Sequence, residues 1–109
     1  MDNKYYQLID QLNRLTINGN LFWQKTSSAD EYMIELNATS FIISKANNGV
    51  ISLDMFNEKN IRGTIVKCDM NNTNYSLMYR LYSAVLESIS KDSAILSAAM
   101  NELYSIDNK

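Results

Sequence analysis

The chain has 109 residues, of which 46% are hydrophobic and 20% are charged, a balance typical of one soluble domain that can bury a core. It contains no histidine, no proline and a single cysteine, so the side chain that most often serves as general base and metal ligand is missing. The net charge is -2, and the ten lysines and arginines are scattered from Lys4 to Lys109, which argues against a nucleic-acid partner.

The sequence also argues against a membrane or export role. No apolar run is long enough to cross a bilayer, and the first residues lack the basic stretch followed by an apolar run that marks a secretory signal. A lone cysteine cannot close a disulfide within the chain, which agrees with a reducing compartment. We therefore expect a cytoplasmic protein with no membrane partner, folded as a single domain over residues 1–109.

The first predicted element is an amphipathic helix. Its apolar residues recur at the three-and-four spacing of one helical face. Asp2 is a suitable cap for its start, and Asn18-Gly19 predicts its end, because both residues tolerate the left-handed backbone found after helices. The apolar positions are Tyr5, Leu8, Ile9, Leu12 and Leu15.

From Leu21 the apolar period changes to two, which is the pattern of half-buried strands. Asn48-Gly49 predicts a hairpin with a type I′ turn, Asn57 to Asn60 a second turn, and Gly63 a bulge or bend. Such short connections favour an antiparallel meander, since parallel pairs need long crossovers. The alternation predicts four or five strands, near 21–25, 30–37, 40–46, 50–57 and 61–68.

A long helix is predicted after the cap candidates Asn71 to Asn74. One apolar series occupies its first half, and a second series continues in phase after Ser90. One unbroken helix would span about 45 Å, more than a domain of this size needs, so a break near Ser90 to Asp92 is favoured. If the helix does not break, its protruding half would have to bury its apolar side against another chain. The two series are Met78, Leu81, Tyr82, Val85, Leu86 and Ile89, then Ile95, Leu96, Ala99, Met100 and Leu103.

Together these elements predict an α+β fold. It consists of an N-terminal helix, a four- to five-stranded antiparallel β-meander, and one long or two shorter C-terminal helices, with the helices packed on one face of the sheet.

The candidate reactive groups are few and lack partners. Cys68 has no histidine to deprotonate it and lies between oppositely charged neighbours, so we expect a buried strand cysteine. The segment starting at Asp69 begins like a calcium loop, but Asn74 replaces the required glycine and Arg80 stands where a bidentate glutamate is needed. We therefore predict no catalytic residues, no cofactor, no metal site and no enzymatic activity.

The remaining distinctive feature is apolar surface. If the alternating strand residues such as Tyr32 and Leu53 face the helices, then large apolar residues and a polar rim lie on the opposite side of the sheet, as at a contact surface. Val66 is assigned to this opposite side. The hypothesis is a small protein-interaction module, either a homodimer or an accessory subunit that binds a protein partner. Its candidate partner-binding residues are Phe22, Met33, Ile42, Phe56 and Tyr79.

An alternative from another class stays open. A small-molecule-binding protein or carboxylate-dependent enzyme could hold its ligand in a cleft between the helices and the sheet. Glu31, Glu35 or Asp54, together with nearby tyrosines, would then act on the ligand.

Overall fold

The structure, a computed structural model, describes residues 3–57 and 62–107. Along the chain, five strands lie between an N-terminal and a C-terminal helix. The predicted cap Asp2 and most of the turn predicted at Asn57 to Asn60 lie outside the described residues. The elements are α1 Asn3–Ile17, β1 Gln24–Lys25, β2 Glu31–Glu35, β3 Ser40–Lys45, β4 Ile51–Phe56, β5 Arg62–Cys68 and α2 Tyr75–Asp107.

The five strands form one antiparallel sheet in the order β1-β2-β3-β4-β5. Each strand pairs with the next along the chain because the connections are too short for a crossover. β1 is the shortest strand, with only Gln24 and Lys25 paired to β2. The predicted α+β meander is therefore confirmed.

The core lies between one face of the sheet and the two helices. Ile9 and Leu12 supply the contribution of α1, and the first half of α2 supplies a row of buried residues. Alternate strand residues complete the core, as period-two patterning requires. The buried cluster consists of Ile9, Leu12, Trp23, Tyr32, Ile34, Phe41, Ile43, Ile51, Leu53, Val66, Cys68, Met78, Leu81, Tyr82 and Val85.

α1 ends at Ile17, just before Asn18-Gly19, as the sequence predicted. Gly19 has a φ of 78°, the left-handed conformation in which a residue with a Cβ is strained. The Asn20 N–H donates to the Leu15 carbonyl at 2.9 Å and the Gly19 N–H donates to the Thr16 carbonyl at 3.1 Å. This pair of hydrogen bonds is the Schellman motif, which satisfies carbonyls that the helix leaves without partners.

The hairpin between β3 and β4 forms where predicted, but its turn type differs. The Gly49 N–H donates to the Ala46 carbonyl at 2.9 Å, and Gly49 has a φ of 88°. Asn48 has no positive φ, whereas a type I′ turn requires positive φ at both central residues. The predicted type I′ turn is therefore wrong, and the pattern is that of a type I turn followed by a left-handed glycine. The Asn48 Oδ1 instead accepts a hydrogen bond from the Val50 N–H at 3.1 Å.

A bulge in β5 changes which side chains face the core. Leu53 pairs with Val66, yet the next residue, Asp54, pairs with Thr64, so Ile65 is the extra residue. The sequence predicted the bulge or bend at Gly63, and the observed bulge lies two residues further along the strand, at Ile65. The extra residue moves Val66 to the helix side, opposite Leu53, and the expectation that Val66 lies on the outer face is wrong.

The C-terminal helix is a single element of 33 residues, about 50 Å long. Of the two alternatives predicted, the long helix is the one observed, and the favoured break near Ser90 to Asp92 is absent. Serine and aspartate each disfavour a helix by only a few tenths of a kcal/mol, whereas glycine and proline, which break helices, do not occur in α2.

Candidate functional site

The second half of α2 carries an apolar face that no described residue covers. Five large side chains on it are each between 60% and 72% exposed. We call this surface the distal face and include the exposed Ala99 in it. The distal face consists of Leu96, Ala99, Met100, Leu103, Tyr104 and Ile106.

The distal face continues the buried face of the same helix. At 100° per residue, Leu96 has the same angular position as the fully buried Met78, and Leu103 the same position as Val85. One apolar stripe therefore runs along α2. Its first half packs on α1 and the sheet, whereas the distal face has nothing to pack against among the residues that the structure describes.

The shape of the molecule shows how far this half projects. The principal extents are 59, 33 and 25 Å, and the long one exceeds the length of α2 by only about one helix diameter. The radius of gyration is 16.3 Å, against about 13 Å for a compact domain of this size. The body of α1 and the sheet thus occupies one end, and the second half of α2 extends from it.

The sequence-predicted partner-binding residues are not brought together. Phe22 precedes β1 instead of lying on the sheet, and it is 69% exposed beside the end of α1 and Ala84 of α2. Tyr79 is 47% exposed on α2, at the other side of the body. Met33, Ile42 and Phe56 do lie on the outer face of the sheet, as the alternation predicted.

The outer face of the sheet offers little apolar area. Its middle row runs across the strands through Gln24, Met33, Ile42, Asp54 and Thr64. Ile42, at the centre of the row, is only 7% exposed. A partner docking on this face would find mainly polar neighbours, so it is a weaker candidate than the distal face.

The carboxylates of the alternative hypothesis do not line a cleft between helices and sheet. Glu31, Glu35 and Asp54 lie on the outer face, because their strand neighbours Tyr32 and Leu53 face the helices. The Glu31 Oε1 accepts a hydrogen bond from the Thr26 hydroxyl at 2.9 Å. The cleft that Tyr79 and Tyr82 line contains Asp30 and Lys45 but none of these three carboxylates.

A group of aromatic side chains surrounds Lys45 at the end of β3. The Lys45 Nζ lies 5.7 Å from the ring centre of Tyr79 and 5.9 Å from that of Tyr82. Tyr82 also packs edge-on against Tyr32, with the ring centres 6.1 Å apart. Burial, followed by the nearby Asp30 carboxylate, raises the pKa of Tyr82. These contacts fix α2 on the sheet, so they account for Tyr79 and Tyr82 without a ligand.

Cys68 is buried in β5, as expected for a strand cysteine. Burial raises the pKa of its thiol, and the neighbouring Asp69 carboxylate adds to the shift. A raised pKa reduces the fraction of reactive thiolate at neutral pH. Cys68 therefore has the environment of a structural residue.

The residues that the structure describes contain no group of three or more histidine, cysteine, aspartate or glutamate side chains placed to hold a metal ion. Among these residues, neither helix combines the length and the apolar character needed to cross a bilayer. Comparison with protein-family models, curated proteins and solved structures finds no match to the chain.

Sequence reasoning found part of the distal face. The spacing predicts Leu96, Ala99, Met100 and Leu103 as members of one apolar series, which an unbroken helix would have to bury against another chain. Tyr104 and Ile106 were missed. The signal for them was available, since Ile106 stands three residues after Leu103 and Tyr104 one turn after Met100.

Proposed function

We propose that this protein is a small, non-enzymatic interaction module that binds a protein partner through the distal face. The observation that carries the proposal is the unbroken α2, whose apolar stripe continues beyond the core that buries its first half. Single exposed apolar residues are ordinary on protein surfaces, but a contiguous group of them marks a binding surface.

The spacing of the distal face favours a helical partner. Leu96, Ala99, Leu103 and Ile106 follow one another at intervals of three, four and three residues. This is the spacing of the seam of a coiled coil, in which side chains of one helix insert between those of another. Met100 flanks the seam and widens the area that a partner helix could cover, and Tyr104 lies about 40° further around the helix on the same side.

The location of the protein belongs to the same proposal. A single cysteine, buried and without a disulfide, suits a reducing compartment. We propose that the protein works in the cytoplasm. The outer sheet residues Met33 and Phe56, together with Phe22 and Tyr79, stay as candidate secondary contacts.

Affinity purification of the full chain, with identification of bound proteins by mass spectrometry, tests the proposal. Leu103→Glu places a charge in the middle of the distal face, and Ala98→Glu places the same charge on the opposite side of the same helix, where Ala98 is exposed. We expect a protein, which can be a second copy of the chain, to be bound in near-equal amounts by the unmodified chain and by Ala98→Glu. Loss of binding in Leu103→Glu is the expected result, because a buried unpaired charge opposes association.

Equal recovery of the same partner with both variants would contradict the use of the distal face. Absence of any bound protein, including a second copy, would contradict the proposed function itself.

A further inference from the structure

We infer that the partner of the distal face is a second copy of this chain, bound through the same face with the two helices running in opposite directions. This inference rests on the proposed function and identifies its partner. The contact would be two-fold symmetric, so residues 96–106 of each copy would cover residues 96–106 of the other.

The direction follows from where the body of the molecule lies. The distal face has the same angular position on α2 as Met78 and Val85, so α1 and the sheet lie on the same side of the helix axis as the distal face. Paired helices approach to about 8–10 Å, far less than the 25–33 Å thickness of the molecule. Parallel helices would therefore force two bodies into one space, whereas antiparallel helices place them at opposite ends.

The pattern of large and small residues fits this direction. With the two-fold axis near Asn101, Leu96 lies opposite Ile106 of the second copy, and Ala99 lies opposite Leu103 of the second copy. A small residue then faces a large one in the central layers, which is how facing helices fill their shared space. In the heptad notation Leu96 and Leu103 are a positions, and Ala99 and Ile106 are d positions. Each pair therefore joins an a position to a d position, as antiparallel coiled coils require.

The charges of the segment favour a protein over a lipid surface. Glu102 is the only charged residue between 96 and 106, and it lies about 120° around the helix from Leu96. In the antiparallel pair Glu102 flanks the seam one residue from the two-fold axis, so the two Glu102 carboxylates lie on the same side of the contact, at its solvent-exposed edge, where salt screens their repulsion. Helices that lie on membranes carry lysine and arginine along the polar side, and this segment has none.

The available area matches a reversible dimer. Five large side chains that are 60% to 72% exposed can each lose roughly 100 Å² of apolar surface on burial. Two copies together would bury at most about 1,000 Å², the lower limit for a specific interface, because Tyr104 lies furthest from the seam. An interface of this size is typical of weak, reversible association, so dimers should form as concentration rises.

Sedimentation equilibrium of the purified full chain, from low to high micromolar concentration, tests self-association. We expect a monomer that becomes a dimer as concentration increases, with the same behaviour for Ala98→Glu. Leu103→Glu should weaken association by about tenfold or more, because Leu103 sits in the centre of the contact. Leu103 is 66% exposed in the single chain, so the variant should keep the circular dichroism spectrum and unfolding midpoint of the unmodified protein.

Disulfide trapping tests the direction. Ala99→Cys and Leu103→Cys are made separately in a Cys68→Ala background, mixed in equal amounts and oxidised. An antiparallel pair brings position 99 of one copy within disulfide range of position 103 of the other, so the mixed 99–103 dimer should dominate over either like pair. A parallel pair would produce mainly 99–99 and 103–103 dimers and would overturn the proposed direction.

The outcomes separate this inference from the proposed function. A chain that stays monomeric at high micromolar concentration overturns self-pairing. The proposed function then survives if a different protein still binds in a Leu103-dependent manner. Leu103-dependent binding to phosphatidylcholine–phosphatidylglycerol vesicles, without protein binding, would overturn both.

Discussion

One hydrogen-bonded pair of side chains joins the entry of the sheet to α1. The Trp23 Nε1 donates to the Thr16 hydroxyl at 2.9 Å, and that hydroxyl donates to the Leu12 carbonyl at 2.7 Å. Both side chains are buried, so neither polar atom has ready access to water. The sequence predicted neither contact, because Thr16 lies in a helix and Trp23 seven residues later, in a segment of irregular backbone.

Thr16→Val should therefore destabilise the protein by about 1–3 kcal/mol, since valine has the shape of threonine but leaves the buried indole N–H without an acceptor. The measurement is the free energy of unfolding from urea titration. In a Trp23→Phe background the same change should cost clearly less, because no indole N–H remains to be satisfied. An equal cost in both backgrounds would show that the hydrogen bond is not the cause.

At the scale of elements, the hairpin between β3 and β4 depends on the backbone of Gly49. Its φ of 88° is strained for any residue with a Cβ, and a Cβ there would also lie 3.3 Å from the Met70 Sδ. Gly63 provides a matched comparison, because it has no positive φ and no atom within 4 Å of the corresponding Cβ position.

Gly49→Ala should lower the free energy of unfolding by about 1–2 kcal/mol. Gly63→Ala should leave it unchanged or raise it by up to about 1 kcal/mol, since alanine restricts the unfolded chain. Thermal and urea unfolding of the two variants provide the comparison. If both alanines have the same effect, the left-handed backbone at Gly49 does not contribute as described.

The elements also show what could be predicted from sequence. The helices and strands were found because their apolar periods of 3.6 and 2 are dictated by which side chains the core must bury. The face on which Val66 lies was not predicted correctly, because the bulge at Ile65 arises from the pairing with β4. A shift of one residue exchanges the two faces of a strand. The turn at Asn48-Gly49 was located correctly but assigned the wrong type, since Asn-Gly sequences fit more than one hairpin turn.

The unbroken α2 is the most consequential of these differences. The favoured break assumed that a helix does not extend beyond what its own domain can bury. That assumption fails when another chain supplies the missing contact. The outer sheet face was predicted from the alternation of the strand residues, and Ile42 at its centre proves to be buried.

At the scale of the whole molecule, we expect the projecting half of α2 to be only marginally stable as a helix in the monomer. Residues 96–106 form about three turns of helix whose apolar side chains are exposed, and isolated helices of this length are marginal in water. A partner that covers the distal face would supply the packing that stabilises them. Binding and helix ordering should therefore be coupled, and the projecting half should be the first part of α2 to open in the monomer.

Hydrogen–deuterium exchange as a function of protein concentration tests this account most directly. We predict that the amides of residues 96–106 exchange rapidly in dilute protein and become protected as concentration rises, whereas those of the buried stretch from Met78 to Val85 remain protected throughout. Leu103→Glu should abolish the concentration-dependent protection, and Ala98→Glu should retain it. Rapid exchange of residues 96–106 at every concentration, or protection that survives Leu103→Glu, would contradict the account.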